Sequence, residues 1–254
     1  MKIGLRGGHS PNCIGSVGLV NEYEQMQIFY KYVRDILVEH GHIVIDCNSD
    51  APSQNTELRE GAIKANNNNV DLFISLHMNA SLNHNGYGTE CHVASLSSKS
   101  VPYAKRICSN FELLGFFNRG IRISSFYEMR NVAAPNIIFE LCFCDNKKDI
   151  NIYNKYSWEE LASSFCNAID SSIPIIKFGN KKKYIVTNYL PKAYEGYDGV
   201  DISHIIEKYF SDIKVYLKYN PKGIWIETRY LSDSECRELK NKLGNLYYST
   251  EYEK

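Results

Sequence analysis

The chain has 254 residues, 44% of them hydrophobic, and its 29 basic side chains balance 29 acidic ones for a formal net charge of +0. That length holds two domains or one large one, with enough apolar content for a true core. Balanced charge excludes a global field for nucleic acid or an anionic membrane surface, and no run approaches the ~18 apolar residues of a membrane span; neither nucleic acid nor membrane insertion is expected.

Lys2 to Arg6 alternates apolar and polar residues and predicts a first strand. It leaves through Gly7-Gly8-His9-Ser10, a tight loop in which glycine permits positive φ and close backbone approach. No apolar leader precedes that loop, so no export signal is expected. A phosphate-binding loop is excluded, because neither Gly-Lys-Ser/Thr nor GxGxxG follows. After Pro11 to Leu19, Asn21 predicts an N-cap and Glu22 a first-turn carboxylate favoured by the helix dipole. The helix runs to about His40 on the apolar stripe Met26, Phe29, Tyr30, Val33, Ile36 and Leu37, and Gly41 closes it. Glu24 competes with Glu22 for any role but points to a different face.

His42 to Cys47 predicts a strand, Thr56 to Asn66 a helix, and Asp71 to Ala80 a buried strand that carries His77 towards its end. Gly86-Tyr87-Gly88-Thr89-Glu90 turns into another strand through Val93, followed by a helix from Val101 to Leu114, a short strand Ile121 to Ile123, and an apolar strand Asn136 to Glu140 that ends in its carboxylate. Ser157 caps a last helix, Trp158 to Ile173. The eight cysteines are scattered without a CxxC pair and are expected as reduced, buried thiols. Cys142 and Cys144 read as packing residues rather than half of a zinc–thiolate site.

Strands alternating with helices predict an α/β fold with a mixed, mostly parallel sheet flanked by helices, whose sites form outside the carboxyl ends of the strands. His9, His77 and Glu140 lie at or just past such ends, and Glu22 starts the helix after the first strand. Either histidine alone reads as an ordinary hydrogen-bonded residue; their shared edge changes that. Two histidines and a carboxylate suit Zn²⁺ with a fourth position open to water, and a second carboxylate, for which Glu140 is the candidate, moves a proton.

From Lys177 the texture changes. Residues 177–183 form a basic, Gly-containing linker that separates a first domain, 1–176, from a second, 184–254. The second reads strand (Tyr184 to Leu190), helix (Ile202 to Phe210), strand (Ile213 to Tyr219), a turn at Asn220-Pro221-Lys222-Gly223, strand (Ile224 to Tyr230), helix (Ser232 to Leu243), strand (Leu246 to Ser249). That order is the α+β βαββαβ pattern. Its aromatics Tyr216, Tyr219, Trp225 and Tyr230 are candidates for stacking on sugars, with alternate positions of each strand expected in the core.

Gly8-His9-Ser10, Asn21-Glu22-Tyr23, Leu58-Arg59 with Ala65-Asn66, Ser75-Leu76-His77-Met78-Asn79-Ala80, Gly88-Thr89-Glu90, Asn118-Arg119-Gly120, and Ile138-Phe139-Glu140 with Phe143-Cys144-Asp145-Asn146 and Asp149 follow one another in this order. In this series the chain resembles the zinc-dependent N-acetylmuramoyl-L-alanine amidases, in particular the endolysins of phages that infect clostridia. The resemblance implies one zinc ion on His9, Glu22 and His77, with Glu140 as catalytic acid and base. It implies hydrolysis of the amide between the lactyl group of N-acetylmuramic acid and L-alanine in bacterial peptidoglycan. Gly-His-Ser replaces the Gly-His-Gly of many members and marks the clostridial subgroup. By position and element order the tail looks like a cell-wall-binding module, and the resemblance also allows a homodimer paired through the tails. An endolysin would collect in the host cytoplasm and reach the wall once a holin opens the membrane. Three alternatives stay open: a bacterial autolysin of the same activity that acts in sporulation and mother-cell lysis, a zinc peptidase cutting within the stem peptide, and a metal-bound but inactive binding protein.

Overall fold

In the computed structural model, which describes residues 1–176 and 183–252, six strands of the first unit share one sheet. They are β1 (Lys2–Gly7), β2 (Ile43–Asp46), β3 (Leu72–Asn79), β4 (Thr89–Val93), β5 (Asn118–Ile123) and β6 (Asn136–Phe143). Their order is β2-β1-β3-β6-β4-β5. Every pairing is parallel except β4 with β6. The mixed, mostly parallel sheet is as expected. Because β4 runs against β6, the starts of β4 and β5 lie beside the carboxyl ends of β1, β3 and β6.

One face of this sheet carries the main core. Side chains alternate with period two, so Leu5, Ile74, Leu76, Ile137, Phe139 and Cys91 point the same way, all fully buried. Three helices cover them: α1 (Glu22–Glu39), α3 (Val101–Leu113) and α6 (Trp158–Ile169). The expected stripe of α1 is buried at Met26, Phe29, Tyr30, Val33 and Leu37, and Phe29 and Phe139 both meet Phe165 of α6. Between α1 and α3 comes α2 (Gln54–Asn67). The last helix of this unit stops at Ile169 rather than Ile173; Asp170 is extended and its carboxylate accepts from Ser172 in a turn. Two short helices escaped the sequence reading, α4 (Tyr127–Asn131) and α5 (Lys147–Tyr153). Seven residues or fewer give little periodicity to detect.

The opposite face is polar where the first is apolar. Register places Arg6 beside Ser75, Ser75 beside Ile138, His77 beside Glu140, Glu140 beside Glu90, and His92 beside Arg122. α2 and α4 cover one end of this face over a small cluster that includes Phe73, Ala62, Ala65 and Val132. Arg6 is completely buried there, paired with Glu57 of α2 and, at 3.1 Å, with Glu128 of α4. Further along this face Ser75, Ile138 and Glu90 are buried, His77 and Glu140 are half-buried, and Arg122 at the β5 edge is exposed.

The chain divides into two compact units, Met1–Lys177 and Phe178–Lys254. The expected linker, 177–183, lies outside the described residues up to 182. The second unit contains β7 (Lys183–Thr187), α7 (Ile202–Tyr209), β8 (Val215–Asn220), β9 (Gly223–Thr228), α8 (Asp233–Leu243) and β10 (Tyr247–Tyr252), the βαββαβ order read from the sequence. Its sheet order is β10-β7-β9-β8, and it has its own core around Ile185, Ile205, Phe210, Ile226 and Leu239. The expected alternation holds in β9, where Ile226 and Thr228 are buried, but fails in β8. There Tyr216 to Asn220 are all exposed, so neither face of that strand is covered. All eight cysteines are free, and Cys142 and Cys144 are fully buried packing residues. No helix among the described residues is long and apolar enough to cross a membrane.

Candidate metal centre and its acid–base neighbour

β1 ends at Gly7, and the chain turns at once through His9, whose φ is +72°. A non-glycine residue in the left-handed region costs on the order of 1 kcal/mol or more and persists only where its surroundings impose it. Here the Gly8 N–H donates to the Leu76 carbonyl at 2.6 Å, and the Arg6 guanidinium donates to the His9 carbonyl at 3.4 Å. The turn brings the His9 ring to the His77 ring, with centroids 4.9 Å apart and planes nearly perpendicular. Ser10 is buried and donates its hydroxyl to the Ala51 carbonyl, tying the loop down.

Glu22 opens α1 behind its N-cap, Asn21, whose side chain accepts from the Glu24 N–H. Glu22 is buried and Glu24 is exposed, so of the two acids Glu22 faces the site. Its Oε1 lies 3.1 Å from His9 Nε2 and 3.0 Å from His77 Nδ1, and accepts from the Met78 N–H at 3.0 Å. Its Oε2 accepts from the Ser16 N–H at 2.9 Å. Burial pushes the Glu22 carboxyl up, but the hydrogen bonds from His77 and His9 outweigh it and hold the group far below the usual carboxylate range.

His77 lies within β3, its Nδ1 towards Glu22 and its Nε2 3.0 Å from the Ser75 hydroxyl two residues back on the same face. That arrangement orients the ring through its second nitrogen, as partners of metal-binding histidines do. Across the strand pair stands Glu140. The sequence reading ended its strand at this residue; β6 instead runs on to Phe143. Between Glu140 and Phe143 it gains one residue on β3, a bulge of the kind that re-aims side chains beside active sites. Glu140 Oε2 is shielded and has no hydrogen-bond partner. Burial pushes its carboxyl well above the ordinary range, and the charges of Glu22 and Glu90 add to the rise.

The donor atoms of His9, Glu22 and His77 lie within 4.8 Å of one another. Two glycines leave them their space. A Cβ on Gly8 would stand 2.3 Å from His77 Cε1; one on Gly15, at φ +69°, would stand 2.4 Å from the His9 ring and 2.6 Å from Glu22 Oε2. Neutral imidazole nitrogens with one carboxylate form the donor set of catalytic zinc sites, so the residues fit that metal. Gly15 was not singled out from sequence, because the loop path that folds His9 and Glu22 against it leaves no local pattern.

The family model for N-acetylmuramoyl-L-alanine amidase (Amidase_3) matches residues 3–171. The chain belongs to this amidase family. An uncharacterised protein of Clostridium perfringens strain 13 is 33% identical over 174 residues, 67% of this chain and 52% of its own length. The chain thus spans about half of that relative. The sporulation-specific N-acetylmuramoyl-L-alanine amidase of Bacillus subtilis strain 168 is 26% identical over 183 residues, 71% of this chain and 70% of its own. Among solved structures, the catalytic domain of CD27L endolysin targeting Clostridia Difficile superposes with a TM-score of 0.61 at 31% identity, over 66% of this chain and 96% of that one.

Amidase residues that sequence left without a role now have one. Asp149 accepts from the N–H groups of Gly88 and Phe143, stitching the start of β4 to the end of β6. Asn79 donates to Glu90 Oε1 at 2.9 Å. Glu90 is buried, and its Oε2 accepts from Arg119 at 2.7 Å and Arg122 at 3.2 Å, with His92 Nε2 3.6 Å from its Oε1. Burial raises the Glu90 carboxyl, but His92, Arg119 and Arg122 overcome this and hold it at about 2, against 4.5 ordinarily. A lowered carboxyl stabilises the fold fully above the unfolded value and loses that contribution as pH falls through the folded one. Glu90 therefore contributes on the order of 3 kcal/mol near neutrality, lost between about pH 4.5 and 2. Urea midpoints measured down to pH 3 are expected to fall less steeply in Glu90→Gln than in the unaltered chain; identical slopes would remove Glu90 from the acid response.

Proposed function

We propose that the chain is a zinc-dependent peptidoglycan hydrolase that cleaves the amide between the lactyl group of N-acetylmuramic acid and L-alanine. The observation that carries this reading is the convergence of His9, Glu22 and His77 beside Glu140 on one polar sheet face of an amidase-family domain. A zinc ion held by those three residues would supply a polarised carbonyl and a water acidified to about pKa 7. Glu140 takes the proton of the attacking water and returns it to the leaving amine of L-alanine. Its unpartnered Oε2 is free to receive that proton. Ser75 keeps the His77 ring in its orientation, and the Met78 and Ser16 N–H groups keep the Glu22 carboxylate in its own.

Mass spectrometry of fragments released from purified walls tests the bond assignment. New L-alanine amino termini without new reducing sugars are expected. Cleavage between two amino acids would instead make the enzyme a stem-peptide peptidase, and no release by zinc-loaded protein would make it a binder.

The biological role follows as an endolysin, made in a phage-infected host's cytoplasm and released to the wall by a holin. The likeness to the CD27L catalytic domain supports it. A second reading, an autolysin of sporulation and mother-cell lysis, draws on the likeness to the Bacillus subtilis sporulation amidase. Synthesis late in a lytic cycle, rather than in sporulating cells, separates the two.

In the same proposal the C-terminal unit targets the wall. It has its own core and exposes Tyr216, Tyr219 and Tyr230, amphipathic rings suited to stacking on sugars. Residues 184–254 alone are expected to cosediment with walls of a narrow host range; equal cosedimentation by residues 1–176 would end the targeting assignment.

A further inference from the structure

The polar face does not stop at Glu140. It continues across β4 to β5, and there two guanidinium groups converge on one buried carboxylate, Glu90. Arg119 and Arg122 are three residues apart, and in a regular strand they would point to opposite faces. The pairing of β4 with β5 shifts between Thr89–Asn118 and Glu90–Gly120, so Arg119 is the extra residue of a bulge, followed by Gly120 at φ +75°. The bulge turns both side chains onto Glu90.

Their situations then differ. Arg119 is committed: its Nε donates to Glu90, its terminal nitrogen to the Tyr87 carbonyl at 3.3 Å, and its guanidinium stacks 5.0 Å from the Phe143 ring centroid. Arg122 is half-exposed and spends Nε alone on Glu90. Its two terminal nitrogens have no partner among the described residues and form the planar fork that matches a carboxylate. Two guanidiniums against one carboxylate leave a surplus positive charge on this part of the face. Neighbouring strands lie about 4.8 Å apart, which puts the β5 backbone about 10 Å from that of β6. Two peptide residues span up to about 7 Å, and the arginine side chain bridges the difference.

We infer that Arg122, positioned by Glu90 and Arg119, is a subsite for a free carboxylate on the amine-side part of the substrate, the peptide residue that follows L-alanine. This rests on the amidase reading. Specificity would then depend on whether that carboxyl is free or amidated, because an amide offers neither the charge nor two acceptor oxygens to the fork.

The test uses the zinc-loaded full chain and two matched probes, the γ-methylamide of L-alanyl-D-glutamate with its α-carboxyl either free or amidated, with muropeptide substrates in the same two forms. Titration calorimetry is expected to show about tenfold tighter binding of the free acid by the unaltered chain, as a charge-assisted fork predicts. Arg122→Gln is expected to raise KM about tenfold on the free-acid substrate, leave kcat within about twofold, and change neither constant on the amidated one. Arg122→Lys, which keeps the charge and loses the fork, falls between. Equal binding of both dipeptides by the unaltered chain, or an equal loss on both substrates in Arg122→Gln, overturns the subsite. Failure of the unaltered chain to cleave either muropeptide would instead overturn the amidase reading, while dipeptide discrimination would still report the carboxylate site.

Discussion

Glu140→Gln is expected to lower amide cleavage by about 10²- to 10⁴-fold, the range associated with a positioned general acid–base group, while zinc stays bound. The replacement keeps the shape and removes the proton-accepting oxygen. The residue stands across the strand pair from His77, and it is not among the three side chains whose donor atoms cluster, so metal content separates its role from theirs. Release of soluble fragments from purified walls, read beside zinc analysis of the same sample, makes the measurement. Retained wall lysis would remove Glu140 from the chemistry, and lost zinc would move it into the metal site.

The second large effect is on the metal. His77→Ala is expected to weaken zinc binding by more than about 100-fold, since losing a mere hydrogen-bonding partner of a ligand already costs about 10- to 100-fold. Gly8→Ala is expected to do comparable damage without deleting any ligand. Its new Cβ would fall within 2.6 Å of three atoms of the His77 ring, and that ring is fixed by Ser75 on one side and Glu22 on the other. Chelator competition gives the affinities, and circular dichroism shows whether each variant keeps its fold. Full zinc occupancy in His77→Ala would refute the ligand assignment. Full occupancy in Gly8→Ala would show that the loop has slack the contacts do not suggest. Adding chelator to the unaltered chain is expected to stop wall hydrolysis, and adding zinc to restore it.

Much of this was legible locally. The caps at Asn21 and Ser157 and the stripe of α1 are short-range signals, written within one helical turn of the residues they control. The same holds for the βαββαβ order of the tail, where turn residues punctuate the strands. Boundaries were less legible. The sheet extends β5 back to Asn118 and β6 on to Phe143, because neighbouring strands supply hydrogen bonds that no local pattern records. The short helices α4 and α5 lack the length for a periodic signal. In β8 the alternation expected from sequence failed, since burial there depends on what packs against the faces of the strand.

The sequence by itself determined the chemistry available: two histidines and two carboxylates, each near the end of a predicted strand or the start of a helix, in the order the amidase family uses. Tertiary structure decided which of them meet. Register set His77 beside Glu140 and Glu140 beside Glu90, and a shift of one residue would have turned each to the other face. Two bulges corrected the aim of residues around Glu140 and at Arg119. Gly8 and Gly15 acquired their importance from rings that the fold brings against them, far along the chain in one case and seven residues or fewer in the other. Local spacing encodes periodicity within an element, whereas register, bulges and close approach are properties of pairs of elements, and those exist only once the chain has folded.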